Sequence, residues 1–200
     1  MAYPTSPLAP YTSDPNYHPL PTDKFNPDGK SLVNPPREGL SPAYDRFPEP
    51  IVPSNNGFDF HVYYMPTNKE EFEYARELHE RIRREFPEFR IYRFWDHPVG
   101  PHPTAMFEVN TFTPHQTGVL FSWLTVHRGP CSVLIHPNTG NAHKDHSELM
   151  SWMGRPWPLW DGLLKKIPSG TRGTPAPTAN APANATLTST APAPAPASST

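Results

Sequence analysis

The sequence predicts an α+β domain with the element order β-α-β-β-α-β and an antiparallel sheet, set between a proline-rich arm and a disordered tail. Three observations predict it. Segments that alternate with a period of two are interleaved with segments whose apolar residues return every three or four positions. Capping residues and glycines mark the ends of the helical segments. Composition shifts near residues 57 and 168, outside which Pro, Ser, Asn, Ala and Thr replace any sustained period.

Residues 1–56 form the arm, whose apolar anchors are Phe25, Leu40, Tyr44 and Phe47, with partial order expected from Tyr44 to Val52. In the first strand Phe60, Val62 and Tyr64 alternate with Asp59, His61 and Tyr63, which gives two distinct faces. Thr67-Asn68-Lys69-Glu70 reads as a capping box with Thr67 as N-cap. Phe72, Ala75, Leu78 and Ile82 make the apolar stripe of a helix that stops before Pro87. Phe89 to Trp95 is the second strand, with Ile91, Arg93 and Trp95 facing opposite Tyr92 and Phe94. The third runs from His102 to Phe112. Thr113 caps a second helix opened by Pro114 and packed through Val119, Leu120, Trp123 and Leu124; Gly129 ends it. Ser132 to Pro137 is the last strand, and a short helix from Asp145 to Met153 follows. Residues 168–200 carry no acidic side chain and almost nothing to bury, so they cannot offset their ordering entropy and are expected to be disordered. The domain between, residues 57–167, has about 110 residues, the usual size of one independent unit.

That order is the split βαβ arrangement of ferredoxin-like domains. With the first and third strands parallel at the centre and the fourth antiparallel to the first, His61, His102 and His136 are expected to meet at one end of the sheet. Trp95, Asp96 and His97 arrive at the same edge, and His143, Asp145 and His146 lie a short loop beyond His136. Strand periodicity puts Asp59, His61 and Tyr63 on one face. Imidazoles converging from separate strands build a metal site or a general acid/base site. A histidine alone in a strand is more often a hydrogen-bonded structural residue, so the convergence of three is what favours a site. His18 and His79 read as solvated, His115 as surface, and His127 as a partner for helix-end carbonyls. Tyr63 and Trp95 read as pocket wall, with Asp59, His97 and His143 as further pocket candidates.

Several function classes drop out. The net charge is -2 and the basic residues form no block, so neither nucleic acid nor an anionic membrane is an expected partner. The single cysteine, Cys131, forbids an intramolecular disulfide and fits a reducing compartment. The N-terminus lacks a basic and an apolar signal region, no segment is apolar enough to span a bilayer, and the cytoplasm is the default location. A glycine-rich phosphate loop, a Gly-x-Ser-x-Gly elbow and a His-Glu-x-x-His motif are all missing, which leaves nucleotide transfer and the commonest hydrolases without support. The number of subunits stays open, a homodimer included.

At these same positions the chain resembles a known family. His61-Val62-Tyr63-Tyr64, Pro98-Val99-Gly100-Pro101-His102-Pro103, His127-Arg128-Gly129, Val133-Leu134-Ile135-His136-Pro137-Asn138-Thr139-Gly140, Asp145-His146 and Trp152-Met153-Gly154 are similar to the ordered motifs of the DOPA 4,5-dioxygenase family. The run Arg90 to Asp96 and the arm are most like its fungal branch. Two positions depart from the pattern: Asp59 stands where bacterial members often carry histidine, and His127 where many carry asparagine. The resemblance implies extradiol opening of a catechol ring such as that of DOPA by dioxygen at Fe(II), zinc being able to substitute as the bound metal. Such a metal needs a few ligands on one side and open positions opposite. His61, His102 and His136 are the implied ligands, with Asp59 able to replace one of them, and His146 the acid/base group that moves the catechol proton. Two other classes stay open on the residues alone: a non-catalytic small-molecule-binding or oligomerisation module, and a zinc hydrolase using the same imidazoles.

Overall fold

A computed structural model describes residues 6–52, 54 and 56–170. The expected disorder of the tail concerns residues that lie, from 171 onward, outside the described ones. The chain forms two compact units, Met1–Pro42 and a second that begins at Ala43. The first holds a short helix, α1 (Ala9–Thr12), and a bridge between Phe25 and Leu32. The segment from Ala43 to Asn56, read as arm, belongs to the second unit. Phe47 packs on Phe58 with ring centroids 5.5 Å apart, and the Val52 N–H donates to the Asn138 carbonyl at 2.8 Å. Gly57 is required there, because a Cβ would overlap the Phe47 ring.

In the second unit the described elements are β1 (Phe58–Tyr63), α2 (Lys69–Glu85), β2 (Arg90–Ile91), β3 (Met106–Thr111), α3 (Pro114–His127), β4 (Ser132–Pro137), α4 (Ala142–Ser147), β5 (Ser151–Met153) and α5 (Asp161–Leu164). The sheet order is β2-β3-β1-β4-β5, the ferredoxin-like arrangement with one strand added beside β4. All its pairings are antiparallel. β1 and β3 are therefore antiparallel neighbours, contrary to the parallel pair expected from element order. The physical reason is connectivity: the α2 crossover makes β1 and β2 parallel, and the tighter return from β2 places antiparallel β3 between them.

Strand alternation then divides the core. Phe60, Val62, Phe107, Val109, Val133 and Ile135 face the helices and pack with Ala75, Leu78 and Ile82 of α2 and Leu120 and Leu124 of α3. The opposite face carries Tyr63, Met106 and Leu134, against which Trp95, Trp152, Trp157 and Leu159 pack. Each buried aromatic here is worth several kcal/mol; cutting Phe107 to alanine costs about 3–5 kcal/mol by the usual cavity penalty.

Four local expectations change. The second strand is only two residues long, because between the Ile91–Val109 pair and the Trp95–Met106 bridge β2's side carries one residue more than β3's. That bulge breaks the alternation, so Phe94 joins Ile91 in the helix-side core. The third strand starts at Met106 and leaves His102 in the preceding turn. The helix expected through Met153 ends at Ser147, and Ser151–Met153 pairs with β4 instead. The N-cap of α2 is Asn68, whose side chain accepts from the N–H groups of Glu70 and Glu71. Asn68→Ala is thus expected to cost about 1 kcal/mol in denaturant unfolding, and Thr67→Ala much less; the reverse order would restore the Thr67 cap.

Among the described residues no helix is long and apolar enough to cross a membrane. Cys131 is buried, and burial pushes its thiol up to about 12, which leaves it unreactive near neutrality.

Candidate metal centre

His61 lies in the middle of β1 on the face away from α2 and α3. Strand pairing sets two rows of side chains across that face. One row is Arg90, Asn110, Asp59 and His136; the next is Glu108, His61, Leu134 and Trp152. His102 comes from outside the sheet, on a turn in which its N–H donates to the Val99 carbonyl at 3.0 Å. Gly100 takes φ +56° there, a conformation that suits glycine. The turn lays the His102 ring 4.3 Å from that of His61. His146 descends from α4, whose N-cap Asn141 holds the Lys144 N–H at 3.0 Å, and its ring is 3.9 Å from His136 and 6.0 Å from both His61 and His102.

The imidazoles converge, but on a sheet face and not at a sheet end. The expectation of one shared end followed from a parallel β1–β3 pair. In the antiparallel sheet His136 stands opposite Asp59 near one end, while His102 folds in from the other.

Hydrogen bonds fix most of the ring nitrogens. Nδ1 of His136 donates to the Pro137 carbonyl at 2.9 Å and Nδ1 of His146 to the Ala142 carbonyl at 2.8 Å. Both neutral rings therefore present an Nε2 lone pair. Nδ1 of His102 shares a 2.6 Å hydrogen bond with the Tyr63 hydroxyl, which burial keeps protonated. Nε2 of His61 faces Nε2 of His136 at 3.1 Å, while Nδ1 of His61 is buried without a partner, 3.9 Å from Glu108 Oε2.

These observations test whether a cation fits. Two imidazole nitrogens at cis positions of a metal with bonds of roughly 2.1 Å lie about 3 Å apart, close to what His61 and His136 show. If Nε2 of His61 binds the cation, its proton moves to Nδ1, the orphaned atom that faces a carboxylate. The donor set fits. Among the described residues two groups have ligand atoms within 4.8 Å of one another: Asp59, His61, His136, and His61, His102, His146. His61 belongs to both, and the expected partners His102 and His136 fall in different groups.

A cavity of about 600 Å³ opens beside the first group, and Asp59, His61, His136, His146, Glu108 and Arg90 all line it. Burial governs its charges. It holds His61 well below the ordinary imidazole range, lowers His136, takes His102 down to about 3, and with the His136 ring takes His146 down to about 2. Burial raises Asp59 to about 6, and burial together with Asp59 raises Glu108 to about 7.

The sequence pattern of the Dopa 4,5-dioxygenase family matches residues 58–161, the span that contains every converging group. The chain belongs to the Dopa 4,5-dioxygenase family. An uncharacterized 21.2 kDa protein of Botryotinia fuckeliana is 50% identical over 170 residues, 81% of this chain and 91% of that one. The DOPA 4,5-dioxygenase of Amanita muscaria is 34% identical over 106 residues, 50% of this chain and 46% of that protein, so the match spans about half of it. A crystal structure of a Nostoc punctiforme protein assigned as a dioxygenase superposes with a TM-score of 0.52 at 31% identity, over 57% of this chain and 96% of that one. Family and fold together make this an enzyme of dioxygenase type.

Within this family member the expected site residues separate. Asp59, His61, His102, His136 and His146 come together. Tyr63 lies buried behind His102, and Trp95 packs beside it under the Arg93 guanidinium, 3.5 Å above its ring. His97 is exposed and pairs with Asp96 at 2.6 Å, and His143 pairs with Asp161 at 2.7 Å. Neither joins the cluster. His79, read as solvated, is half-buried: Nε2 meets the Tyr92 carbonyl at 2.8 Å and the ring stands edge-on to Phe107. Sequence reasoning missed Glu108 and Arg90. The signal for Glu108 was its place in the apolar alternation of Phe107 and Val109, which a strand order with β1 beside antiparallel β3 turns into a direct pairing with His61.

The shifts give a pH dependence for the metal-free protein. The four imidazoles are depressed, so below their unfolded value near 6.5 the unfolded chain binds more protons and stability falls as pH drops. Asp59 and Glu108 are raised, so their contribution is present at low pH and lost as pH climbs to about 7. Four groups oppose two, and the net sign favours neutral pH. Denaturant unfolding should show a loss of at least about 1.4 kcal/mol per pH unit between roughly pH 6.5 and 5. A midpoint that is flat or rises on acidification contradicts the buried neutral imidazoles.

Proposed function

We propose that the protein is an extradiol-type dioxygenase that opens the ring of a catechol with dioxygen at Fe(II) held by Asp59, His61 and His136. The observation that carries this is the convergence of two imidazole lone-pair sites and a carboxylate on the wall of one cavity. Two histidines and one carboxylate, with open positions opposite, are the donor set of non-haem Fe(II) oxygenases. All three line the cavity, which favours this group over His61, His102 and His146. Ferrous iron would supply the electronic coupling between a singlet ring and triplet dioxygen that neither achieves alone.

The chain's own residues do the rest. Asn56 and Asn110 donate to Asp59 Oδ1 and hold the carboxylate in place, and Glu108 Oε2 stands 3.9 Å from Nδ1 of the His61 ring. His146, neutral and with its Nε2 lone pair facing the cluster, takes the proton from the catechol hydroxyl and returns it when the ring opens. The Tyr63 hydrogen bond fixes His102 as the wall behind the cluster.

The test is anaerobic Fe(II) titration followed by oxygen consumption on a panel of catechols. Uptake coupled to a yellow ring-opened product is the expected result. Metal binding without uptake favours a zinc hydrolase, and neither binding nor uptake favours a non-catalytic module.

A further inference from the structure

We infer that Val52 and Ile167 form an apolar clamp for the substrate ring, so that the preference for an aromatic chelator is set by segments outside the family-matched span; this rests on the catechol reading above. That span is residues 58–161, and the two side chains lie on either side of it. Among the described residues the aliphatic side chains lining the cavity are Val52, Ala142 and Ile167, and Ala142 offers a single methyl group. The rest of the wall is polar side chains, glycine and the Tyr92 ring. Val52 and Ile167 are half-buried, yet neither packs on the apolar clusters of the two sheet faces. Apolar surface left on a cavity wall favours an apolar occupant. A catechol directed by its hydroxyls towards Asp59, His61 and His136 presents a ring face with no polar atom to satisfy, and these two side chains are the wall that suits it.

Both carriers are fastened to the elements that bring the histidines together. The Val52 N–H donates to the carbonyl of Asn138, in the loop after His136, at 2.8 Å. The segment 160–170, which carries Ile167, is tied at three points. The Trp160 N–H donates to the Pro101 carbonyl at 2.9 Å, beside His102. Asp161 accepts from His143 at 2.7 Å, on the helix that also bears His146. The Gly170 N–H donates to the Gly140 carbonyl at 2.7 Å, again in the loop after His136. Leu164, between these ties, is buried. A side chain on a segment held at both ends keeps its place before substrate arrives, so the clamp is preorganised.

The test compares catechol with acetohydroxamate, a chelator without a ring, by anaerobic calorimetry on the Fe(II)-loaded full chain. Ile167→Asn and Val52→Thr, which put polar atoms on the clamp, are each expected to weaken catechol binding about 10- to 100-fold. Acetohydroxamate affinity and iron content should stay at their wild-type values. Ile167→Val, which stays apolar, should keep most of the catechol affinity. Thermal unfolding of each variant checks folding. Equal weakening of both chelators marks a general distortion of the site and overturns the clamp. Unchanged catechol affinity in the folded Ile167→Asn and Val52→Thr overturns it while leaving the catechol reading intact. A wild type that binds no catechol overturns both.

Discussion

His61→Ala is expected to abolish metal binding and with it ring cleavage, because His61 is common to both groups of ligand-competent side chains. Loss of a ligand exceeds the ~10- to 100-fold that losing an outer hydrogen-bond partner costs, so turnover should fall by well over 100-fold. The comparison that locates the metal is Asp59→Asn against His102→Gln. With iron held by Asp59, His61 and His136, Asp59→Asn should lose most of the metal, while His102→Gln keeps it and turns over more slowly. The opposite pattern moves the ion to His61, His102 and His146. His115, exposed in the first turn of α3, serves as the control, and His115→Ala should keep full occupancy. His79 would be a poor control, since its bond to the Tyr92 carbonyl ties α2 to the chain after β2.

The second large effect is expected at His146. Removing an acid/base group lowers turnover by about 10²- to 10⁴-fold while leaving metal content and catechol affinity in place. His146→Ala should therefore load iron and bind a catechol but consume oxygen slowly, and its residual rate should no longer follow the pH profile of the wild type. Loss of iron in this variant would instead make His146 a ligand, consistent with its place in the group with His61 and His102. Wild-type turnover would remove it from the mechanism altogether.

Much of this arrangement was legible in the sequence, for identifiable reasons. β1, α2, α3 and β4 have strong periods or clear caps, and His61 and His136 sit inside such elements. β5 was not legible, because Ser151–Met153 is too short to show a period and acquires its strand form only by pairing with β4. The bulge after Ile91 was equally hidden, since one extra residue leaves no mark on a pattern of aromatics that are apolar on either face. Convergence of the histidines could be read, but its location could not: a parallel β1–β3 pair puts them at a sheet end, and the antiparallel pair puts them on a face. The same sign of pairing concealed Glu108. A glutamate alternating with Phe107 and Val109 reads as a solvated position until His61 is known to stand opposite. Arg90 was hidden similarly, since its only mark in the sequence was a basic residue at a strand start, and its place depends on Asn56 and Asn110, residues 34 and 20 positions away.

The reading of the face cluster as a ring-opening centre is tested most directly by the fate of dioxygen. Fe(II)-loaded protein, supplied with a catechol and dioxygen labelled with heavy oxygen, should yield a ring-opened product that carries both labelled atoms when the reaction is quenched before exchange with water. A product carrying a single labelled atom, or oxygen drawn only from water, would contradict dioxygenase chemistry at Asp59, His61 and His136.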